Sequence, residues 1–124
     1  MKIYKQALFS ISILAALTLS ACDINQDMRA LSSNKEGSDA RVIAASNGCM
    51  GCHAVSNKII GPAWKKVAKY YKNIPDAKSL LITKIKTGGK GNWNNETGGE
   101  TMPGYEGKMS EEEISEIVDY ILSL

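Results

Sequence analysis

Cys49-Met50-Gly51-Cys52-His53 forms a C-x-x-C-H run, the only one in the chain, and His53 is the only histidine. Two thiols three positions apart with an imidazole directly after them form the attachment pattern of a covalent c-type haem. The thiols add across the haem vinyl groups, and the adjacent histidine lies under the iron as its proximal ligand. The competing reading is a Cys49–Cys52 disulfide of the thioredoxin kind, which belongs at a helix start in a βαβ setting. No strand-like alternation surrounds the motif here.

Upstream of the motif the chain carries an export pattern. Lys2 and Lys5 precede the apolar stretch Ala7 to Ala21. That stretch is shorter than the roughly 20 residues a membrane-spanning helix needs, so residues 1–21 read as a signal peptide. It ends in Leu19-Ser20-Ala21-Cys22, which resembles the lipobox of bacterial lipoproteins and implies lipidation of Cys22. The plainer alternative is an ordinary signal peptide with a cysteine at its boundary. With Cys22 on lipid and Cys49 and Cys52 on haem, none of the three cysteines is left over. Asp23, next to the lipobox cysteine, favours retention in the inner membrane in bacteria that have an outer one.

Residues 22–38 are polar, mixed in charge and short of large apolar side chains, the composition of a flexible tether. The folded domain is then expected over 39–124. A domain of that size is small for a self-sufficient hydrophobic core, and a covalently held apolar group would complete it.

Within the domain the apolar spacing predicts helices. One covers Asp39 to Gly48, with Ser38 or Asp39 as N-cap and Val42 and Ile43 on its apolar side. The haem motif is expected on its last turn, and Gly48 is expected to admit close approach of the last helix. A second helix, Pro62 to Tyr71, places Trp64, Val67, Ala68 and Tyr71 on one face. A third runs from about Pro75 to Thr87 and stops at Gly88-Gly89. Residues 88–107 hold seven glycines and no periodicity, and read as a long irregular loop. Ser110-Glu111-Glu112-Glu113 is a capping box for a final helix, Ser110 to Leu124. Met109 and Ile114 then form the hydrophobic staple across its start, with Ile114, Ile117, Val118, Ile121 and Leu122 on the apolar face.

C-x-x-C-H, then Gly61-Pro62-Ala63-Trp64-Lys65, then Met102-Pro103 together resemble the small bacterial class I cytochromes c, over roughly Arg41 to Leu124. The resemblance implies an all-α fold of four to five helices around one covalent haem c. It implies that Pro62 offers its carbonyl to the ring N–H of His53, and that Met102 is the second axial ligand of the iron. The final helix is expected to cross the first where Tyr120 or Ile121 meets Gly48. The family's Trp-to-Met spacing is tighter than Trp93 to Met102, so the loop here is read as expanded. The implied activity is single-electron transfer, not enzymic catalysis.

The +2 formal charge hides an asymmetry. Lys58 to Lys90 holds nine lysines and one acid, whereas Glu106 to Leu124 holds six acids and one lysine. Such a dipole can steer redox donors and acceptors, such as membrane-bound respiratory complexes. The lysines are too few and too dispersed for nucleic acid. The expected setting is the outer side of the cytoplasmic membrane or the periplasm, with the domain held to the membrane by a lipid anchor. The rival functions are a haem gas sensor or peroxidase-like enzyme with a displaceable Met102, and a haem-free lipoprotein adaptor. The sequence speaks against the first through its lack of a second histidine to serve as distal base.

Overall fold

The computed structural model describes residues 37–124. The signal segment 1–21, Cys22, and all but the last two residues of the 22–38 tether lie outside the described residues. Five helices and no strand are present among the described residues: α1 (37–46), α2 (Trp64–Tyr71), α3 (Ala77–Thr87), the short α4 (Asn94–Thr97) and α5 (Glu111–Leu122). None of them is long and apolar enough to cross a membrane.

α5 is the organising helix, and its start follows from local chemistry. Ser110 Oγ accepts the Glu113 N–H at 3.1 Å, while Glu113 Oε2 accepts the Ser110 N–H at 2.8 Å. The reciprocal pair satisfies two of the N–H groups a helix start leaves open, and three glutamates sit at the positive end of the helix dipole. Ile114, Ile117, Val118 and Ile121 are buried on one face, and Met109 joins them in the same core. α2 and α3 both pack on α5.

α1 departs from expectation at both ends. Gly37 and Ser38 are already helical, so neither Ser38 nor Asp39 is the cap. The buried face consists of Ala40 and Ala44, and Val42 is 62% exposed. The reason is proximity: a Cβ on Gly37 would lie 3.3 Å from the Tyr120 ring of α5. A helix that close needs small residues at its contact, and Gly37, Ala40 and Ala44 share one face at helical spacing. The expected meeting of Tyr120 or Ile121 with Gly48 is therefore replaced by one of Tyr120 with Gly37, since a Cβ on Gly48 would touch nothing within 4 Å. Gly48 is needed instead for its left-handed φ of 77°, which only glycine adopts at no cost. It ends α1 and turns the chain into a separate 3₁₀ turn, Cys49–Gly51.

α2 begins at Trp64, not Pro62, after Ala63, which offers no side-chain cap. Its first N–H groups are taken by the backbone of the preceding loop: Trp64 N–H donates to Ala54 O at 3.0 Å and Lys65 N–H to Val55 O at 3.0 Å. The loop after the haem motif is thereby stitched to α2. α3 likewise starts later than expected, at Ala77, and its Leu80 is 49% exposed while Leu81 and Ile85 are buried. Residues 88–107 are not wholly irregular. They contain a 3₁₀ turn, Gly91–Trp93, that runs into α4. A four-residue helix carries no readable period.

Candidate functional site

The 3₁₀ turn Cys49–Gly51 and the residues after it present both thiols and the imidazole to one cavity. It measures about 450 Å³ and is predominantly apolar, within the usual range of ligand sites. Cys49, Cys52 and His53 line it from one side, Met102 and Pro103 from the segment before α5, and Tyr71, Leu81 and Ile85 from α2, its end and α3. The sequence-predicted residues of the domain are thus brought together, and Cys22 lies outside the described residues. Both motif thiols are free, so the disulfide reading gains no support. Burial pushes the Cys49 thiol above the ordinary thiol range, with the neighbouring Tyr105 hydroxyl working in the opposite direction.

His53 is fixed from two directions. Its Nδ1 lies 2.8 Å from Pro62 O. A carbonyl only accepts, so Nδ1 must carry a proton, and in the neutral ring Nε2 is then left with a lone pair. The ring also stacks on Trp64, centroid to centroid 6.3 Å and 26° between planes. Trp64 in turn meets the edge of Tyr120 at 5.9 Å. Gly61 is required by this packing, since a Cβ there would lie 2.4 Å from His53 Cε1. Cys52 O accepts from both Ile60 N–H, at 3.2 Å, and Gly61 N–H, at 2.8 Å, closing the loop back on the motif.

Met102 is positioned by the end of α3. Gly89 N–H donates to Met102 O at 2.8 Å in an antiparallel bridge, and Tyr105 N–H reaches Ile85 O at 3.0 Å. The open carbonyls of a helix C-terminus thus hold the Met-Pro segment. Gly88 has φ 67°, and a Cβ there would stand 2.4 Å from Met102 O. Met109 is buried at the start of α5, away from the cavity lining.

Trp93 packs edge-on against Tyr70 at 5.3 Å, and Lys66 Nζ lies 5.8 Å from its ring centroid. Sequence reasoning missed this cluster, along with the Trp64 stack on His53. It also missed Thr97, whose hydroxyl is buried without a partner and whose side chain belongs to the cavity lining. No local pattern marks any of these three.

The residues present fit a haem. Two thiols, an imidazole nitrogen and a thioether converge on one apolar space. Ile60, Tyr70 and Leu80 are each about half exposed and line that space, so a flat apolar group would cover them. Thr97 leaves a hydroxyl for a carboxylate on that group.

The lysine-rich and acidic segments are partly matched to each other. Lys78 pairs with Asp119 at 2.7 Å and Lys86 with Glu111 at 2.6 Å, tying α3 to α5, while Lys66 pairs with Glu96 at 2.6 Å. Part of the sequence's charge dipole is therefore internal. Lys58, Lys65, Lys69 and Lys72 make no such pair among the described residues.

The family model described as Cytochrome c matches residues 38–124. Cytochrome c2 of Rhodocyclus tenuis is 35% identical over 86 residues, 69% of this chain and 92% of that protein. Cytochrome c-552 of Hydrogenobacter thermophilus is 38% identical over 82 residues, 66% of this chain and 78% of that one. The crystal structure of wild-type Nitrosomonas europaea cytochrome c552 superposes with a TM-score of 0.60 at 35% identity, covering 67% of this chain and 96% of that chain. The chain therefore belongs to the cytochrome c family, as a small class I member that carries one covalent haem c and passes electrons to and from redox partners without being an enzyme.

Proposed function

We propose that the protein is a membrane-anchored electron carrier of a respiratory chain, working outside the cytoplasmic membrane, with Cys49 and Cys52 attached to the haem and His53 and Met102 as axial ligands. The observation that carries this reading is the 2.8 Å contact between His53 Nδ1 and Pro62 O. It favours the tautomer of the neutral ring that leaves Nε2 free to bind a metal.

The bound haem supplies a metal centre that gains and loses one electron. The chain's residues determine how readily it does so. His53 is held by Pro62, Trp64 and the tight approach of Gly61, so its ring would keep one orientation toward the group it binds. Met102 is a soft, neutral donor, and pairing it with histidine raises the reduction potential relative to two basic ligands. The apolar walls from α2 and α3 exclude water and favour the less charged state of the centre. With His53 and Met102 both held in place by the fold, the reorganisation on gaining or losing an electron would be small.

Residues 1–21 serve export in this reading, and Cys22 carries the lipid that anchors the tethered domain. Anchoring raises the carrier's effective concentration near membrane-bound donors and acceptors. Lys58, Lys65, Lys69 and Lys72 give the free domain a basic surface for steering an acidic partner.

Voltammetry of the full chain, produced with haem-attachment machinery, tests the reading. It should give a reversible one-electron wave with no catalytic current on adding peroxide. A catalytic wave would favour a peroxidase-like enzyme. Replacing Cys22 by serine should release the protein from the membrane fraction with its haem intact; retention in the membrane would remove the lipid anchor.

A further inference from the structure

The expanded segment between Gly89 and Met102 is held to the domain by α2 through one side-chain cluster. Lys66 Nζ donates to Glu96 Oε1 of α4 at 2.6 Å and lies 5.8 Å from the Trp93 ring centroid, within cation–π range. Tyr70, one turn further along α2, meets Trp93 edge-on at 5.3 Å, and its hydroxyl accepts from Asn92 Nδ2 at 3.3 Å. Lys66 and Tyr70 are at i and i+4, so both face the same segment. Among the described residues no other side-chain hydrogen bond or ion pair ties residues 90–101 to the rest of the chain. Trp93, Thr97 and Thr101 line the same cavity as Met102, and Met102 is the residue at which this segment rejoins the Gly89 bridge.

Trp93, Thr97 and Thr101 therefore form a wall of the cavity beside the bridge that carries Met102. We propose that Lys66 is a positioning residue: by clamping Trp93 and Glu96 to α2, it keeps that wall closed and sets how fast Met102 gives way to an incoming ligand. The proposal rests on the assignment of Met102 as the axial ligand. Among the described residues the polar contacts of the Lys66 side chain go to Glu96 and the Trp93 ring, not to Met102 or the attachment motif; it acts through the segment that carries Trp93 and α4. α3 and α5 have ion pairs of the same kind at Lys78–Asp119 and Lys86–Glu111, but these tie α3 to α5 and not the segment to α2.

Cyanide binding to the oxidised holoprotein, at cyanide concentrations where loss of Met102 limits the rate, tests it. Lys66→Met removes both the exposed ion pair and the cation–π contact and should speed binding by about five-fold. Glu96→Gln removes only the ion pair and should give about two-fold. The double variant should be no faster than Lys66→Met, and Lys66→Arg, which keeps charge and stacking, should stay within about two-fold of the parent. Lys78→Met breaks an ion pair of similar exposure elsewhere and should leave the rate unchanged. Equal rates in Lys66→Met and the parent, or equal acceleration in Lys66→Met and Lys78→Met, would overturn the proposal. The near-red methionine–iron absorption band separates the two readings. If the parent shows the band and the rates do not move, the clamp fails alone; if the parent lacks it, the Met102 assignment fails and takes the clamp with it.

Discussion

His53 and Pro62 are joined by a 2.8 Å contact from ring Nδ1 to backbone oxygen. The acceptor belongs to the main chain, so the side chain at 62 matters only through the backbone shape it imposes. Gly61 is the more sensitive position, because a Cβ there falls 2.4 Å from the ring it would have to pass. Gly61→Ala should cost about 2 kcal/mol in denaturant unfolding, the usual penalty of overpacking a rigid contact. Pro62→Ala keeps the carbonyl and should cost under about 1 kcal/mol, through greater freedom of the unfolded chain. Equal costs for the two would show that proline's ring, not its carbonyl, matters at this site.

Gly88 and Gly98 both have positive φ, 67° and 65°, but Gly98 is left-handed helical with ψ 19°, whereas Gly88, with ψ −147°, lies in a region kept almost wholly for glycine. A Cβ at 98 meets open space, whereas at 88 it collides with Met102 O and Gly104 N. Gly98→Ala should cost about 1 kcal/mol, the strain of a left-handed residue, and leave the near-red band intact. Gly88→Ala should cost about 3 kcal/mol and weaken the band, because the bridge that places Met102 is displaced. Unfolding curves and oxidised spectra of both variants check this.

These contrasts show which parts of the molecule were legible in the sequence. The capping box at Ser110 and Glu113 is local chemistry, readable from four residues, and α5 forms as the spacing predicts. The attachment motif and Met102-Pro103 can be located in the sequence because their chemistry needs particular residue types, and the structure brings both to one cavity. Of the two residues expected on the apolar side of α1, Ile43 packs against the core and Val42 does not, although large apolar residues usually mark the buried face. Here the approach of Tyr120 to Gly37 demands small ones, so Ala40 and Ala44 go inward and Val42 outward. The break at Gly48 was invisible because a glycine before a motif does not announce the sign of its φ. α4 and its clamp could not be read at all, since Lys66 and Glu96 are 30 positions apart.

pH dependence should follow the α3–α5 ion pair. The hydrogen bond from Lys86, and then its charge, holds Glu111 below the ordinary carboxylate range. The hydrogen bond to Glu111, and then its charge, raises Lys86 above the ordinary lysine range. A lowered carboxylate stabilises the fold above its unfolded-state pKa, and that contribution is lost as pH falls through the lowered folded value. A raised lysine stabilises below its unfolded-state pKa and loses this as pH rises through the raised value. Glu111→Gln should therefore melt slightly below the parent at neutral pH, and the two melting curves should converge as the pH is taken through the acid range. A gap that widens in acid would contradict the pairing. Both groups are at the surface, so the effect should be the smallest among the variants considered.

The spectrum of the oxidised holoprotein tests the account most directly, measured for the parent, Met102→Ala and Met109→Ala. The parent should show the near-red band of a methionine sulfur on ferric iron, and its reduced form should resist carbon monoxide. Met102→Ala should lose the band and bind carbon monoxide readily. Met109→Ala should keep the band and lose about 2–4 kcal/mol of stability, since Met109 is buried at the start of α5. If Met109→Ala instead abolishes the band while Met102→Ala retains it, or if the parent has no band and takes up carbon monoxide, the closed carrier with His53 and Met102 on its haem is refuted.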